Sequence, residues 1–359
     1  MKKNSTIELM RFLGATIIFL YHQGVIFDSG WIFVEFFFMV SGYFTCVHMH
    51  RNPVEANDPN FPMRYTWHKA KGILPYAAMT TLAQAAITIP GIIRNYGAGS
   101  AYTYLLTLPG NLLGLIGTGI VPWHLSTQAG YTLNYMIAGI LWFLMALLVA
   151  MPVFIFLVHR VEPLLGMWTY TVLPLVLYGL LITNFGTLNG WHPGPYVYLS
   201  LDCRALGGLL FGDLIWHGAG YLRNHIVRAS ASLLTFTEAV SFLFALLLAT
   251  ADAKPIDCPA IIFMALCLSL TMSGKTYSCK LNFRAFRFLG SISLQIYCFQ
   301  WQASQLVRWI GGLAGYRAVA VSYCILVLIS ITIKACGKRL GELEAKAFAR
   351  LINENEVRA

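Results

Sequence analysis

Charged side chains are scarce in this chain: Asp, Glu, Lys and Arg make up 11% of its 359 residues, against 57% hydrophobic, and the mean hydropathy is +0.64. A soluble domain of this size carries about 25% charged residues, so the deficit excludes water as the main solvent. Acidic residues are the scarcer sign, leaving a formal charge of +10. A basic balance points to nucleic acid only where the positives form a face or interleave with aromatics on a soluble fold. Neither pattern occurs, and no nucleic-acid partner is expected. The eight cysteines lack CxxC spacing and a histidine partner set. That argues against a zinc site and a disulfide framework; no metal is expected, and the cysteines read as small buried hydrophobes. No fixed-period repeat is visible. The first apolar run, 7–27, is longer than a signal h-region and is followed by no small-residue cleavage site, so it reads as a retained span.

What is there is a succession of apolar runs near the length of about 20 residues that a bilayer requires. With loops rich in Pro, Gly, Asn and charge as boundaries, ten spans are expected: 7–27, 31–48, 72–93, 136–158, 163–183, 197–217, 231–250, 258–273, 288–307 and 318–333. The stretch 50–71 reads as a polar loop, and the weaker, Gly-rich run 104–121 as interfacial or re-entrant. With the N-terminus inside, twenty Lys and Arg fall on the cytosolic side and only Arg94, Lys254, Arg308 and Arg317 outside, with Arg204 within a span. The expectation is an all-α, polytopic transmembrane helical bundle of about ten spans. Both termini are cytosolic, with a membrane domain over 1–333 and a charged cytosolic tail over 334–359.

Ionisable residues inside such spans cost about 2.5–3.5 kcal/mol each on insertion scales, so each needs a reason. In the first run Arg11 and His22 share one helical face, with an axial separation of about 16 Å that places Arg11 near the cytosolic boundary. Glu8 lies one turn from Arg11, within reach of an ion pair. The hairpin into the second run brings Glu35 to a depth similar to that of His22. Glu35 would then orient the imidazole and raise its basicity; the alternative is a purely structural His22–Glu35 pair.

The chain resembles the membrane-bound type 3 acyltransferases, a bacterial family that decorates sugars, lipids and antibiotics with acyl groups. The residues that carry the resemblance are Arg11 and His22 at their spacing and the run Glu35-Phe36-Phe37-Phe38-Met39-Val40-Ser41-Gly42. RYTWHKAKGILPY with Arg64, Lys69, Lys71 and Pro75, LWFL with Trp142, and LGSISLQIYCF with Ser293 and Tyr297 add to it. Two features depart from the family. Gln300 stands where a histidine often follows the late tyrosine and cannot act as a base, and the basic stretch is mostly lysine.

The resemblance implies transfer of an acetyl or other short acyl group from cytosolic acyl-CoA to a hydroxyl of an extracytoplasmic glycan or glycolipid, in the bacterial cytoplasmic (inner) membrane. No cofactor is held permanently. A homodimer is compatible with it. His22 is the expected base and Glu35 its orienting acid. Arg11, Arg64, Lys69 and Lys71 are the expected ligands of the donor's phosphates. Ser41, Trp142, Arg204, Tyr297 and Gln300 are the expected substrate contacts, with helix–helix hydrogen bonding the other role for Ser41, Tyr297 and Gln300. Asp202 and Arg204 each need a partner from another helix; Asp213 and Glu238 read as solvated near the cytosolic ends, and the phenylalanine run as facing lipid. His124, Trp191 and His192 read as an outer aromatic belt or a sugar contact. The rival reading is a transporter or flippase that uses the same intramembrane His, Glu and Arg.

Overall fold

The structure is a computed structural model that describes residues 4–113, 136–189, 197–225, 230–251 and 256–358. Its regular elements are helical, with no strand among the described residues. In a membrane a helix satisfies its own backbone N–H and C=O groups, which is why apolar runs of this kind take that form.

Helix α1 (Ser5–His22) starts where the Asn4 side chain accepts the Thr6 N–H at 3.0 Å, and Glu8 sits in its positive first turn. A short 3-10 turn at Gly30–Ile32 leads into α2 (Phe33–Arg51), closing the expected hairpin. The stretch 50–71 is not a loop: it holds α3 (Pro53–Ala56) and the start of α4 (Phe61–Leu106). The prolines misled because Pro53 and Pro62 occupy first helical turns, where a missing N–H costs nothing. α4 bends at Gly97, whose φ of +83° is readily open only to glycine. α5 (Leu108–Leu112) follows, and the remainder of the 104–121 run lies outside the described residues from 114 on.

α6 (Trp142–Phe156) and α7 (Glu162–Leu165) are joined by a π-helical turn, Leu157–Val161, and a second one, Trp168–Val172, opens α8 (Leu173–Phe185). The chain continues through α9 (Val197–His225), α10 (Ala231–Ala249), α11 (Asp257–Ser273), α12 (Arg284–Ser291), α13 (Ser293–Ile310) and α14 (Gly315–Arg358). α14 passes through residue 334 without a break.

Among the described residues, six helical stretches are long and apolar enough to cross a bilayer: Gly30–Arg51, Phe61–Leu106, Gly139–Leu165, Trp168–Phe185, Ala231–Ala249 and Gly315–Gly337. The ten expected spans therefore exceed this number, although the class is the expected one. The others counted from sequence are α1, α9, α11 and α13. α11 is shorter than a full span, and the other three carry the ionisable and amide residues discussed below. Exposed Trp168, Leu175, Phe236, Ile262 and Leu328 cover the outside, as befits a multi-pass protein in lipid.

The centre is set by the packing of α2 on α9. A Cβ on Gly42 would lie 2.1 Å from the Leu209 carbonyl oxygen, and one on Gly212 would lie 2.4 Å from that of Met39. Small residues thus let the two backbones touch, the usual device between membrane helices. Phe36 and Phe38, expected to face lipid, are buried here, and Phe37 packs on Phe36 and Phe143. Asp213 and Glu238, expected to be solvated, are also buried; Glu238 accepts from Thr271 at 2.5 Å and Ser278 at 2.7 Å. Cys258, Cys324 and Cys336 are exposed rather than buried.

Candidate active site

The last turn of α1 places His22 on a pocket of about 250 Å³, and the imidazole is exposed to it. Trp31, Trp142, Tyr297 and Trp301 supply aromatic walls, and Asn189 and Tyr21 a polar edge, with the Asn189 amide donating to the Tyr21 hydroxyl at 3.1 Å. His22, Trp142 and Tyr297, drawn from α1, α6 and α13, are brought together as expected residues of one site.

The imidazole is held from α13. His22 Nδ1 lies 3.0 Å from Gln300 Oε1, while the other end of that amide, Nε2, donates to the Tyr297 carbonyl at 2.9 Å. Only an amide nitrogen can donate to a carbonyl, so the Gln300 oxygen faces the ring, and Nδ1 of the neutral ring must carry the proton. Nε2 is then left with a free lone pair. Gln300 is fully buried, which fixes the arrangement.

Glu35 does not pair with His22. Its carboxylate accepts from Arg204 Nε on one oxygen and from the Tyr178 hydroxyl on the other, deep in the protein. The hairpin brings α1 and α2 to the same depth, but the α2–α9 contact turns Glu35 toward α9. Arg204 lies between the rings of Trp31 and Trp142, 5.0 Å from each centroid, so the ion pair backs two walls of the His22 pocket. Asp202, two residues earlier, keeps an unpartnered Oδ1. Tyr178 carried no sequence signal, since nothing distinguishes one tyrosine in an apolar run until the fold aims it.

A family model described as an acyltransferase domain matches residues 4–336. The chain belongs to that acyltransferase family. No curated protein and no solved structure matches it. The match takes in every helix that lines the His22 pocket and stops within α14. The protein is thus a multi-pass membrane acyltransferase.

For an acyltransferase the remaining expected residues divide sharply. The Tyr297 hydroxyl donates to the Ile140 carbonyl at 2.6 Å, so it is the ring that faces the pocket. Ser41 lies away from this pocket, its carbonyl accepting from Thr45 at 2.8 Å. Arg11 pairs with Glu8 at 3.3 Å on the half-exposed end of α1. Arg64 is engaged by Asp58 at 2.6 Å and Glu55 at 3.6 Å. Asp58 is held below the usual carboxylate range by the Asn60 N–H and by Arg64, so Arg64 is committed to local acids. Lys69 lies over Tyr65 and is close enough to Arg11 for their charges to interact; Lys71 lies over Trp67. His124, Trp191 and His192 lie outside the described residues.

A larger cavity, about 1250 Å³, opens at the end of the bundle that holds the start of α1. Arg51, Arg223 and Lys280 line it together with His50, Tyr43 and Glu8. Arg223 is pinned there by donating to the carbonyls of Met272 and Ser273 at 3.2 and 3.3 Å. None of these basic residues was singled out from sequence. They come from three remote segments, and the available signal was only that all three belong to the cytosolic set of positives.

Proposed function

We propose that this acyltransferase moves an acetyl or other short acyl group from cytosolic acyl-CoA to a hydroxyl of an extracytoplasmic glycan or glycolipid, with His22 Nε2 as the general base. The observation that carries this reading is the Gln300 amide, whose orientation leaves Nε2 as the free acceptor of a neutral ring that lines an aromatic pocket. In the step, the acceptor oxygen attacks the thioester carbonyl carbon as its proton passes to Nε2. The C–S bond then breaks, and the leaving thiolate takes that proton back from the imidazole. Trp31, Trp142 and Trp301 offer flat faces for the apolar side of a sugar ring. Arg51, Arg223 and Lys280 offer charge for the donor's phosphates, and Arg11 and Lys69, close enough for their charges to interact, are further candidates to hold them. Glu35 and Arg204 act on the pocket through the two tryptophans rather than on the imidazole. The membrane is taken to be the bacterial inner membrane.

Membrane vesicles supplied with labelled acetyl-CoA test the assignment. His22→Ala is expected to lower label transfer to the membrane fraction by about 10²–10⁴-fold at unchanged protein level. A loss smaller than about threefold removes His22 as the base. Substrate export without acyl transfer by the wild type replaces the reading with the transporter.

A further inference from the structure

A second group of reactive side chains stands apart from the His22 pocket, where α7 meets α9. His217 and Asp213, one turn apart on α9, face Glu162 at the first position of α7. His217 Nε2 lies 2.7 Å from Glu162 Oε1 and 3.8 Å from Asp213 Oδ1, and the three ligand atoms all fall within 4.8 Å of one another. Four-coordinate zinc, with bonds of about 2.0–2.1 Å, separates neighbouring ligand atoms by about 3.3 Å, a value these distances bracket.

Charge and burial point the same way. Asp213 is fully buried, its carboxylate turned into the group, and its Oδ2 has no hydrogen-bond partner. Cys46 donates to the other oxygen at 3.4 Å. Two carboxylates meet one imidazole, and among the described residues no lysine or arginine pairs with either acid. A fully buried carboxylate set beside a second, partly buried one calls for a cation. The imidazole is oriented by the Tyr170 ring, stacked on it at 4.1 Å and 20°. Two π-helical turns, Leu157–Val161 and Trp168–Val172, bracket Glu162, a distortion that often accompanies function. His217 also lines the large basic cavity, which gives an ion a route in.

We propose that Glu162, Asp213 and His217 bind a divalent transition-metal ion, zinc or manganese, with water or a ligand from the cavity completing its shell. Imidazole with two carboxylates suits these ions better than magnesium or calcium, which favour all-oxygen sets. With His217 held as an imidazolium between the two carboxylates, its Nε2 proton leaves to bulk water as the metal takes its place while Nδ1 keeps its own, so binding releases about one proton per ion.

The test uses the full chain purified in detergent, stripped with EDTA and titrated with Zn²⁺ and separately with Mn²⁺. Wild type is expected to bind about one ion per chain with proton release, and His217→Gln and Asp213→Asn to weaken binding at least about tenfold. Asp58→Asn, at a remote exposed acid, is expected to bind as wild type. His217 is partly exposed, so its variant keeps the test decisive if Asp213→Asn fails to fold. Co²⁺-loaded wild type supplies a second readout, with a visible ligand-field spectrum that His217→Gln alters. Fewer than about 0.1 ion per chain at saturation, or affinities unchanged in both variants, overturns the site.

Discussion

Residue by residue, the chemistry of the pocket turns on an amide rather than a carboxylate. Gln300 orients His22 without adding a charge beside it, which keeps the ring a neutral acceptor at Nε2. Gln300→Leu removes that acceptor while keeping similar bulk, leaving Nδ1–H unpaired. The expected result is a fall in kcat of about ten- to a hundredfold with KM little changed, read by steady-state acyl transfer. An equal rise in KM would instead place Gln300 in substrate binding. The Glu35–Arg204 pair makes a different demand. Arg204→Leu strands a buried carboxylate and is expected to cost about 3–5 kcal/mol in detergent unfolding, whereas Glu35→Leu combined with Arg204→Leu is expected to recover most of that. Additive losses would show that the two side chains do not act as a pair. Sequence paired Glu35 with His22 and left Arg204 without a named partner, because the Glu35–Arg204 contact depends on the rotation of α2 about its axis and not on depth.

Among the elements, α2 and α9 have the least freedom, since their backbones meet at Gly42 and Gly212. Gly42→Ala would put a methyl against the Leu209 carbonyl and is expected to destabilise the protein by at least about 1–3 kcal/mol in thermal unfolding. Gly72→Ala, within α4 and with nothing near the new methyl, is expected to be neutral or to stabilise by up to about 1 kcal/mol. Equal effects would mean that the α2–α9 contact is looser than described. The same two helices show what a sequence can reveal. Runs of apolar residues located them, because hydropathy is summed over a whole helix. The role of Gly42 as a contact point, the burial of Phe36 and Phe38 and the helical 61–71 segment escaped it, because each depends on a neighbour from elsewhere or on where a proline falls within a turn. Helices α1, α9 and α13 fail a simple apolarity test for a related reason. Each trades lipid-compatible residues for the histidine, arginine and glutamines of the site.

On the scale of the whole molecule, the two cavities lie toward opposite ends of α1, one beside Glu8 and the other at His22, about 20 Å apart along the helix. That separation lets a donor enter through basic residues at one face while an acceptor meets the imidazole nearer the other, provided that the basic end is cytosolic. The bias of lysine and arginine assigns it there, since Arg51, Arg223 and Lys280 all belong to the cytosolic set. α13 offers a direct test, because Tyr277 precedes α12 and α13 on the basic side and Tyr316 follows α13 at its other end, and both are exposed. In an otherwise cysteine-free chain, Tyr277→Cys is expected to react with a membrane-impermeant maleimide in inverted vesicles and not in intact spheroplasts. Tyr316→Cys is expected to show the reverse. If both react from the same side, α13 does not cross, and the chain cannot present donor and acceptor from opposite faces. If the pattern is inverted, the basic cavity opens outward, away from the cytosolic pool of acyl-CoA, and the donor must reach His22 by another route.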